Sequence, residues 1–401
     1  MRTRVAIVGG GFAGLSAALH LARAGVEVTV LEAGTVGCEA SGRNTGMLGP
    51  GAIAPITTLV ERHGPDRARA IFQATLDGVE HALDLIVSEG LVCDLEVTGQ
   101  LLVARTGRQA AFVESQAHAL QELGFDVEWL DREALAGTIA SPLFRGGLRY
   151  SRAANLDPLR LCHELARVCR ARGVAIREQT PVRSVAAGRL ELASGEIVLA
   201  EKVVLATNAF TPRLGVLRGR VTPLSTHVVL TEPLGERVRS LGWPGREGIV
   251  DARRFFSYFR LTADDRLRWG GGAPLHRRTE DPATYATIAA EIESVFPSLR
   301  GVKIERQWSG VMGFTLDRTP IVGPLAEEPA ILHTGAWCGH GVALSLASGK
   351  TVADMVLGGH APTLPWHRGS APWLPPDPLK AIGLDIYLAG LGLADRIGGR
   401  T

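Results

Sequence analysis

The run Val5-Ala6-Ile7-Val8-Gly9-Gly10-Gly11-Phe12-Ala13-Gly14 constrains the fold more than any other stretch, because an apolar segment that runs straight into spaced glycines requires a buried strand, a tight turn and a helix. Gly9 permits the turn. Gly11 lets backbone approach a pyrophosphate, Gly14 lets the helix pack closely on the strand, and the helix N-terminus offers unpaired N–H groups and a positive dipole end. A helix over Leu15 to Arg23, a stop at Gly25 and a second apolar strand from Val26 to Leu31 lead to Glu32, followed by Ala33. A carboxylate there, about 20 residues beyond the glycines, accepts hydrogen bonds from a ribose diol. The spacing therefore predicts a dinucleotide site, and the motif alone leaves FAD and NAD both open.

At 401 residues the chain is expected to form two domains. A net charge of +2, with scattered arginines, gives no basic field for nucleic acid. The five cysteines form no CxxC pair, so the sequence indicates neither a disulfide framework nor a metal site, and a reducing cytoplasm fits. Met1 to Arg4 leads directly into the first strand, which leaves no expected signal peptide, and no apolar run reaches the length of a transmembrane helix.

Beyond the first unit, Gly37 to Gly46 reads as a glycine- and serine-rich loop, Ala68 to Gly90 and Gln109 to Leu123 as helices, and Gly99 to Ala104 as a strand. Asp157 caps a helix through Arg172 with Pro158 at its first position. Short β segments at Ala175 to Arg177, Val182 to Ala186, Leu190 to Leu192 and Glu196 to Leu199 precede a buried strand, Lys202 to Ala206. Val221 to Leu230 and Phe255 to Gly272 read as a separate antiparallel sheet, joined by a helix from Thr284 to Phe296 and a strand from Val302 to Val311. A final strand, Ala330 to Thr334, runs into Gly339-His340-Gly341 and a helix to Val356. A chain that opens and closes with a strand, a glycine turn and a helix places both ends on one cofactor, which favours FAD over a nicotinamide. After a Pro- and Trp-rich linker, Leu379, Ile382, Ile386, Leu393 and Ile397 recur at helical spacing, and that stripe is expected to meet the body of the protein, a second subunit or a membrane surface.

These motifs resemble the FAD-dependent oxidoreductases of the D-amino-acid oxidase superfamily, and most closely its γ-glutamylputrescine oxidase-like branch. The resemblance rests on the N-terminal fingerprint, Ala40 to Gly46, Val203 to Ala209, Tyr258 to Gly271, Trp308-Ser309-Gly310 through Gly323, and Gly339 to Ala343. It implies an α/β fold, with an FAD-binding Rossmann-type, glutathione-reductase-like domain (1–90, 151–215 and 316–360). A second, antiparallel-sheet substrate domain (91–150 and 216–315) and a linker with an amphipathic C-terminal helix (361–401) complete the chain.

By that resemblance, noncovalent FAD is held by Gly9, Gly11, Phe12, Ala13, Gly14, Glu32 and Ala33, then by Ser41, Arg43, Asn44, Thr45 and Gly46. Thr45 departs from the family's usual glycine. Val182 offers backbone to the adenine, Ala206, Thr207, Asn208 and Gly310 line the site, and Asp317 passes the ribityl chain. Gly339, His340, Gly341, Val342 and Ala343 bring a helix N-terminus to the flavin, where reduction places negative charge. Catalytic and substrate-pocket candidates are His340, Arg260, Tyr258, His227 and Trp308. Phe256, Tyr258 and Arg260 share one strand face by period two, which makes an aromatic wall with a cation; core packing or a surface ion pair is the alternative. The family's carboxylate-binding arginine is missing, because Gly310-Val311-Met312-Gly313 stands there, and this argues against a plain D-amino acid. The expected reaction is hydride transfer from the C–H next to an amine nitrogen to flavin N5, with O2 or another acceptor taking the electrons. A nicotinamide dehydrogenase and a non-catalytic flavin-binding module are the alternatives.

Overall fold

The computed structural model describes residues 1–51, 54–272, 281–360 and 362–376, together with residues 378–380, 382–383, 386–387 and 390 of the C-terminal segment. The Arg2–Val8 strand forms where the sequence is β-branched and apolar, and it is central to the first sheet. Across that sheet the order is Ile321–Pro324, Ile331–Gly335, Ile197–Leu205, Arg2–Val8, Val28–Leu31 and Ala175–Arg177. The inner pairings are parallel and the Ile321–Pro324 edge is antiparallel. Chain segments far apart in sequence thus end side by side at one edge of the sheet, which is the topology that brings a ligand against the carboxyl ends of parallel strands.

Two helices lie against each other beside this sheet, Phe12–Arg23 and Gly341–Val356. Their approach depends on Gly349, where a Cβ would stand 2.6 Å from the Ala13 carbonyl oxygen and 2.6 Å from Ser16 Cβ. Ser16 Oγ donates to the Leu346 carbonyl at 2.6 Å, so the contact is both close and polar. The helix Pro158–Ala171 begins as its sequence specifies, with Asp157 accepting from Arg160 N and Pro158 at the first position.

The second sheet runs Ile304–Phe314, Thr222–Thr231, Leu267–Gly271, Ser257–Leu261, Gly248–Asp251, Gln100–Ala104, Gly146–Tyr150 and Val127–Leu130. One face packs on the helix Pro282–Val295 through Phe259, Trp269, Ile288 and Ile292, with the Phe259 and Trp269 rings stacked at 3.8 Å. The other face turns towards residues 43–46.

Several local expectations are corrected. Phe255 to Gly272 resolves into a hairpin of Ser257–Leu261 and Leu267–Gly271, because the Thr262 to Arg266 turn closes on itself with Asp265 at φ 57°. The segments expected at Glu196 to Leu199 and Lys202 to Ala206 merge into one strand, Ile197–Leu205, since Leu199, Ala200 and Lys202 all pair with Arg2–Val8. The Gly37 to Gly46 segment contains a helical turn, Ala40–Arg43, closed by Asn44 Nδ2 donating to the Ala40 and Ser41 carbonyls. Within the second sheet, Gly248–Asp251 pairs parallel to Gln100–Ala104, so the sheet is mixed. In the C-terminal segment Leu379, Ile382 and Ile386 are exposed, while Leu393 and Ile397 fall outside the described residues.

Candidate functional site

The glycine turn is tight enough that no side chain fits it. A Cβ on Gly9, which has φ +109°, would lie 2.7 Å from the Ala206 carbonyl oxygen; one on Gly14 would lie 2.0 Å from the Gly9 carbonyl oxygen. On Gly11 it would meet Ser41 Oγ at 2.6 Å, and that hydroxyl accepts from Phe12 N at 3.0 Å. Ser41, far away in sequence, therefore sits at the start of the Phe12–Arg23 helix. Phe12 and Ala13 are buried behind the turn. Glu32 closes it: one carboxylate oxygen accepts from Gly10 N at 2.6 Å and the other from Gly34 N at 2.8 Å, with Ala33 exposed between. Val182 opens a strand on the arm beyond Thr180, whose N–H donates to the Glu32 carbonyl, so its backbone lies near this end.

The segment after Ser41 is locked onto the second sheet. Arg43 donates through Nε to the Cys38 carbonyl and through Nη1 to the Ser309 carbonyl, while Trp308 Nε1 donates to the Arg43 carbonyl. Arg43 thus spends its guanidinium on backbone rather than on an open cavity. Gly310 leaves room beside Arg43, whose Cβ would be 3.5 Å from a Cβ placed there. Asn44 Oδ1 accepts from Gly46 N, and Gly46 holds φ +80° beneath Leu156.

Strand register sorts the pocket candidates onto two faces. Tyr258, Gly270, Val228 and Trp308 are cross-strand partners and share one face; Phe259, Trp269 and Val229 share the other. Tyr258 lies flat over Gly270, where a Cβ would touch its ring at 2.5 Å, and its hydroxyl meets Thr226 Oγ1 at 2.8 Å. His227 is on the opposite face, edge-on to Tyr285 at 5.1 Å, so it does not share the Tyr258 wall and is corrected from a pocket residue to the helix-covered side. Arg260 is on the Tyr258 face but is also corrected. The residue is 3% exposed and its guanidinium donates to the carbonyls of Thr45, Leu261 and Leu156, which makes it a clamp between the two sheets' segments rather than a cation facing a ligand.

The returning strands complete the edge. Asn208 Oδ1 accepts from Ala336 N at 3.0 Å, tying Ile197–Leu205 to the end of Ile331–Gly335. Thr207 meets Thr211 at 2.8 Å, Thr211 meets His333 Nε2 at 3.1 Å, and His333 Nδ1 meets the Ile321 carbonyl at 2.9 Å. A carbonyl only accepts, so Nδ1 carries the proton and Nε2 accepts from Thr211. Burial lowers the His333 pKa to about 4 and keeps it neutral. Sequence reasoning named Thr207 and missed Thr211 and His333, because nothing in their spacing marks them as one chain of hydrogen bonds.

Asp317 is engaged by Arg368 through both carboxylate oxygens, an ion pair that holds its carboxyl below the ordinary value against the opposing effect of burial. That side chain is therefore part of a strap from residue 368 and not a free ligand group. Gly339, at φ +98°, and His340 lead into Gly341–Val356; His340 is exposed as a residue while its ring lies against Gly51 and burial lowers its pKa, Val342 is half-buried and Ala343 is buried.

Residues 4–355 match the family model described as DAO, FAD dependent oxidoreductase. The γ-glutamylputrescine oxidoreductase of Escherichia coli is 32% identical over 411 residues, covering 98% of this chain and 93% of its own. A probable oxidoreductase OrdL of Haemophilus influenzae is 31% identical over 364 residues, covering 88% and 83%. The crystal structure of glycine oxidase from Geobacillus kaustophilus superposes with a TM-score of 0.72 at 23% identity, covering 90% of this chain and 96% of that one.

Proposed function

The chain belongs to the FAD dependent oxidoreductase family, and from that premise we propose that it oxidises the carbon next to the nitrogen of a small amine. The single observation that carries FAD placement is the cradle of Gly9, Gly11 and Gly14, each closed to any Cβ, with Ser41 and Glu32 converging on it. In this reading residues 1–90, 151–215 and 316–360 hold FAD, while 91–150 and 216–315 shape the substrate pocket. Residues 361–401 are assigned to neither, although Trp366, Arg368 and Ala371 strap onto the first.

Bound FAD would supply the redox chemistry, as acceptor for the hydride of the amine carbon. The protein supplies the rest. The N–H groups at the start of Phe12–Arg23 would hold the pyrophosphate and the Glu32 carboxylate would accept from the ribose hydroxyls. The N-terminus of Gly341–Val356 stabilises developing negative charge, with His340 beside it. Tyr258, fixed by Thr226, forms an apolar wall that excludes water from the amine, and Trp308 closes the same face. Burial raises the Tyr258 pKa, so the phenol stays protonated and can donate. The Cys338 thiol is likewise raised by burial, a poor nucleophile, which supports a noncovalent cofactor. O2 is the electron acceptor of this reading, and a reducing cytoplasm its compartment.

A screen of primary and secondary amines for hydrogen peroxide release, run beside a dye acceptor, tests the reaction and its acceptor together. Peroxide with an imine-derived carbonyl product supports an oxidase; dye reduction without peroxide supports a dehydrogenase; neither, with flavin bound, refutes the reading.

A further inference from the structure

Arg260 and Arg268 are the two buried arginines among the described residues, they are cross-strand partners, and they differ completely in what they bond. Arg260 spends its donors on three backbone carbonyls. Arg268 is 8% exposed, its Nε has no hydrogen-bond partner, and among the described residues its guanidinium makes neither a hydrogen bond nor an ion pair. What it has is a ring: its Cζ lies 5.0 Å from the Trp308 centroid.

A buried guanidinium is ordinarily paired directly with a carboxylate, whereas Asp157 acts on Arg268 through space without an ion pair and Arg306 opposes it. Arg268 remains a cation at neutral pH, since burial lowers its pKa only to about 10. By register it shares the face of Tyr258, Gly270 and Trp308. It lies one pleat from the Tyr258 row, a separation of roughly 7 Å.

We infer that Arg268 is the recognition point for a carboxylate carried by the amine substrate, away from the carbon that is oxidised. This rests on the proposed amine oxidation. A single carboxylate is favoured over a phosphate because among the described residues only one unspent arginine is buried there, Arg260 being consumed by carbonyls, and because Trp308 covers a flat face and leaves the planar edge that matches a carboxylate. It gives the chain a carboxylate contact on Leu267–Gly271, where Gly310 to Gly313 supplies no arginine.

The test uses the flavin-loaded protein and two probes of equal shape, pentanoate and pentanamide, titrated against the visible flavin spectrum. Wild type should respond to pentanoate and not to pentanamide, Arg268→Met should bind pentanoate roughly 10- to 100-fold more weakly, and Arg268→Lys should fall between them. The thermal midpoint separates recognition from a structural role: removing an unpaired buried charge should leave it unchanged or raise it in Arg268→Met. Equal pentanoate affinity in wild type and Arg268→Met, or a response to inorganic phosphate in place of pentanoate, would overturn the inference. Failure of the amine reading shows separately, as bound flavin that no amine reduces whatever residue stands at position 268.

Discussion

Glu32 shows how one side chain can be read twice. In sequence it is the acid that follows the second strand; in space its two oxygens bridge Gly10 and Gly34 and hold the turn proposed to meet a ribose diol. Glu32→Ala is expected to weaken FAD binding by about 1.5–3 kcal/mol while the protein still folds, which a flavin titration of the stripped protein measures. Gly11→Val should abolish binding, since the added carbon meets Ser41, and a stoichiometrically yellow variant would refute that placement. At His333 the predicted effect depends on pH. The unfolded chain takes up a proton near 6.5, whereas the folded site refuses one until about 4. Its contribution is therefore complete above pH 6.5 and is lost as pH falls towards 4, so the thermal midpoint should drop across that window and His333→Gln should flatten part of the slope. Glycines and Glu32 were legible because they act through their own backbone and spacing. Arg260 and Arg268 look alike in sequence; which one is spent and which is free is decided by where the carbonyls of Thr45 and Leu156 arrive.

Elements were legible where their determinants are local. Asp157-Pro158 starts its helix as expected, and the first strand–turn–helix lies where its glycines put it. Less legible were Val127–Leu130, Gly146–Tyr150 and Gly248–Asp251, short strands whose pairing partners are distant in sequence. His227 was misplaced for a related reason. Period two says that it alternates with Thr226, and only the pairing of Val229 with Trp269 reveals which set faces the helix Pro282–Val295. The crossing of Phe12–Arg23 and Gly341–Val356 carries a sharper expectation. Gly349→Val must push Ser16 and the Ala13 carbonyl away, at a cost of roughly 1–3 kcal/mol, and because those residues sit on the helix that begins at the turn proposed for the pyrophosphate, flavin retention should fall with the thermal midpoint. Loss of stability with unchanged flavin affinity would show that the helix start is anchored independently.

At the scale of the whole molecule, distant segments meet at one sheet edge, and the second sheet offers its Tyr258 face to residues 43–46 while its other face is covered. No helix among the described residues is long and apolar enough to cross a membrane. In the C-terminal segment Leu379, Ile382 and Ile386 are exposed, and the Tyr387 hydroxyl accepts from Arg318 at 3.1 Å. Truncation after Pro378 should accordingly leave the flavin-to-protein ratio unchanged, and a colourless product would contradict that. The central claim, that this chain passes electrons from an amine to bound FAD, is tested most directly by anaerobic titration of the purified protein followed through its visible spectrum. The account predicts flavin bands that bleach with a carboxylate-bearing amine and return when air is admitted. Stoichiometric flavin that dithionite reduces and no amine of such a panel bleaches would contradict it.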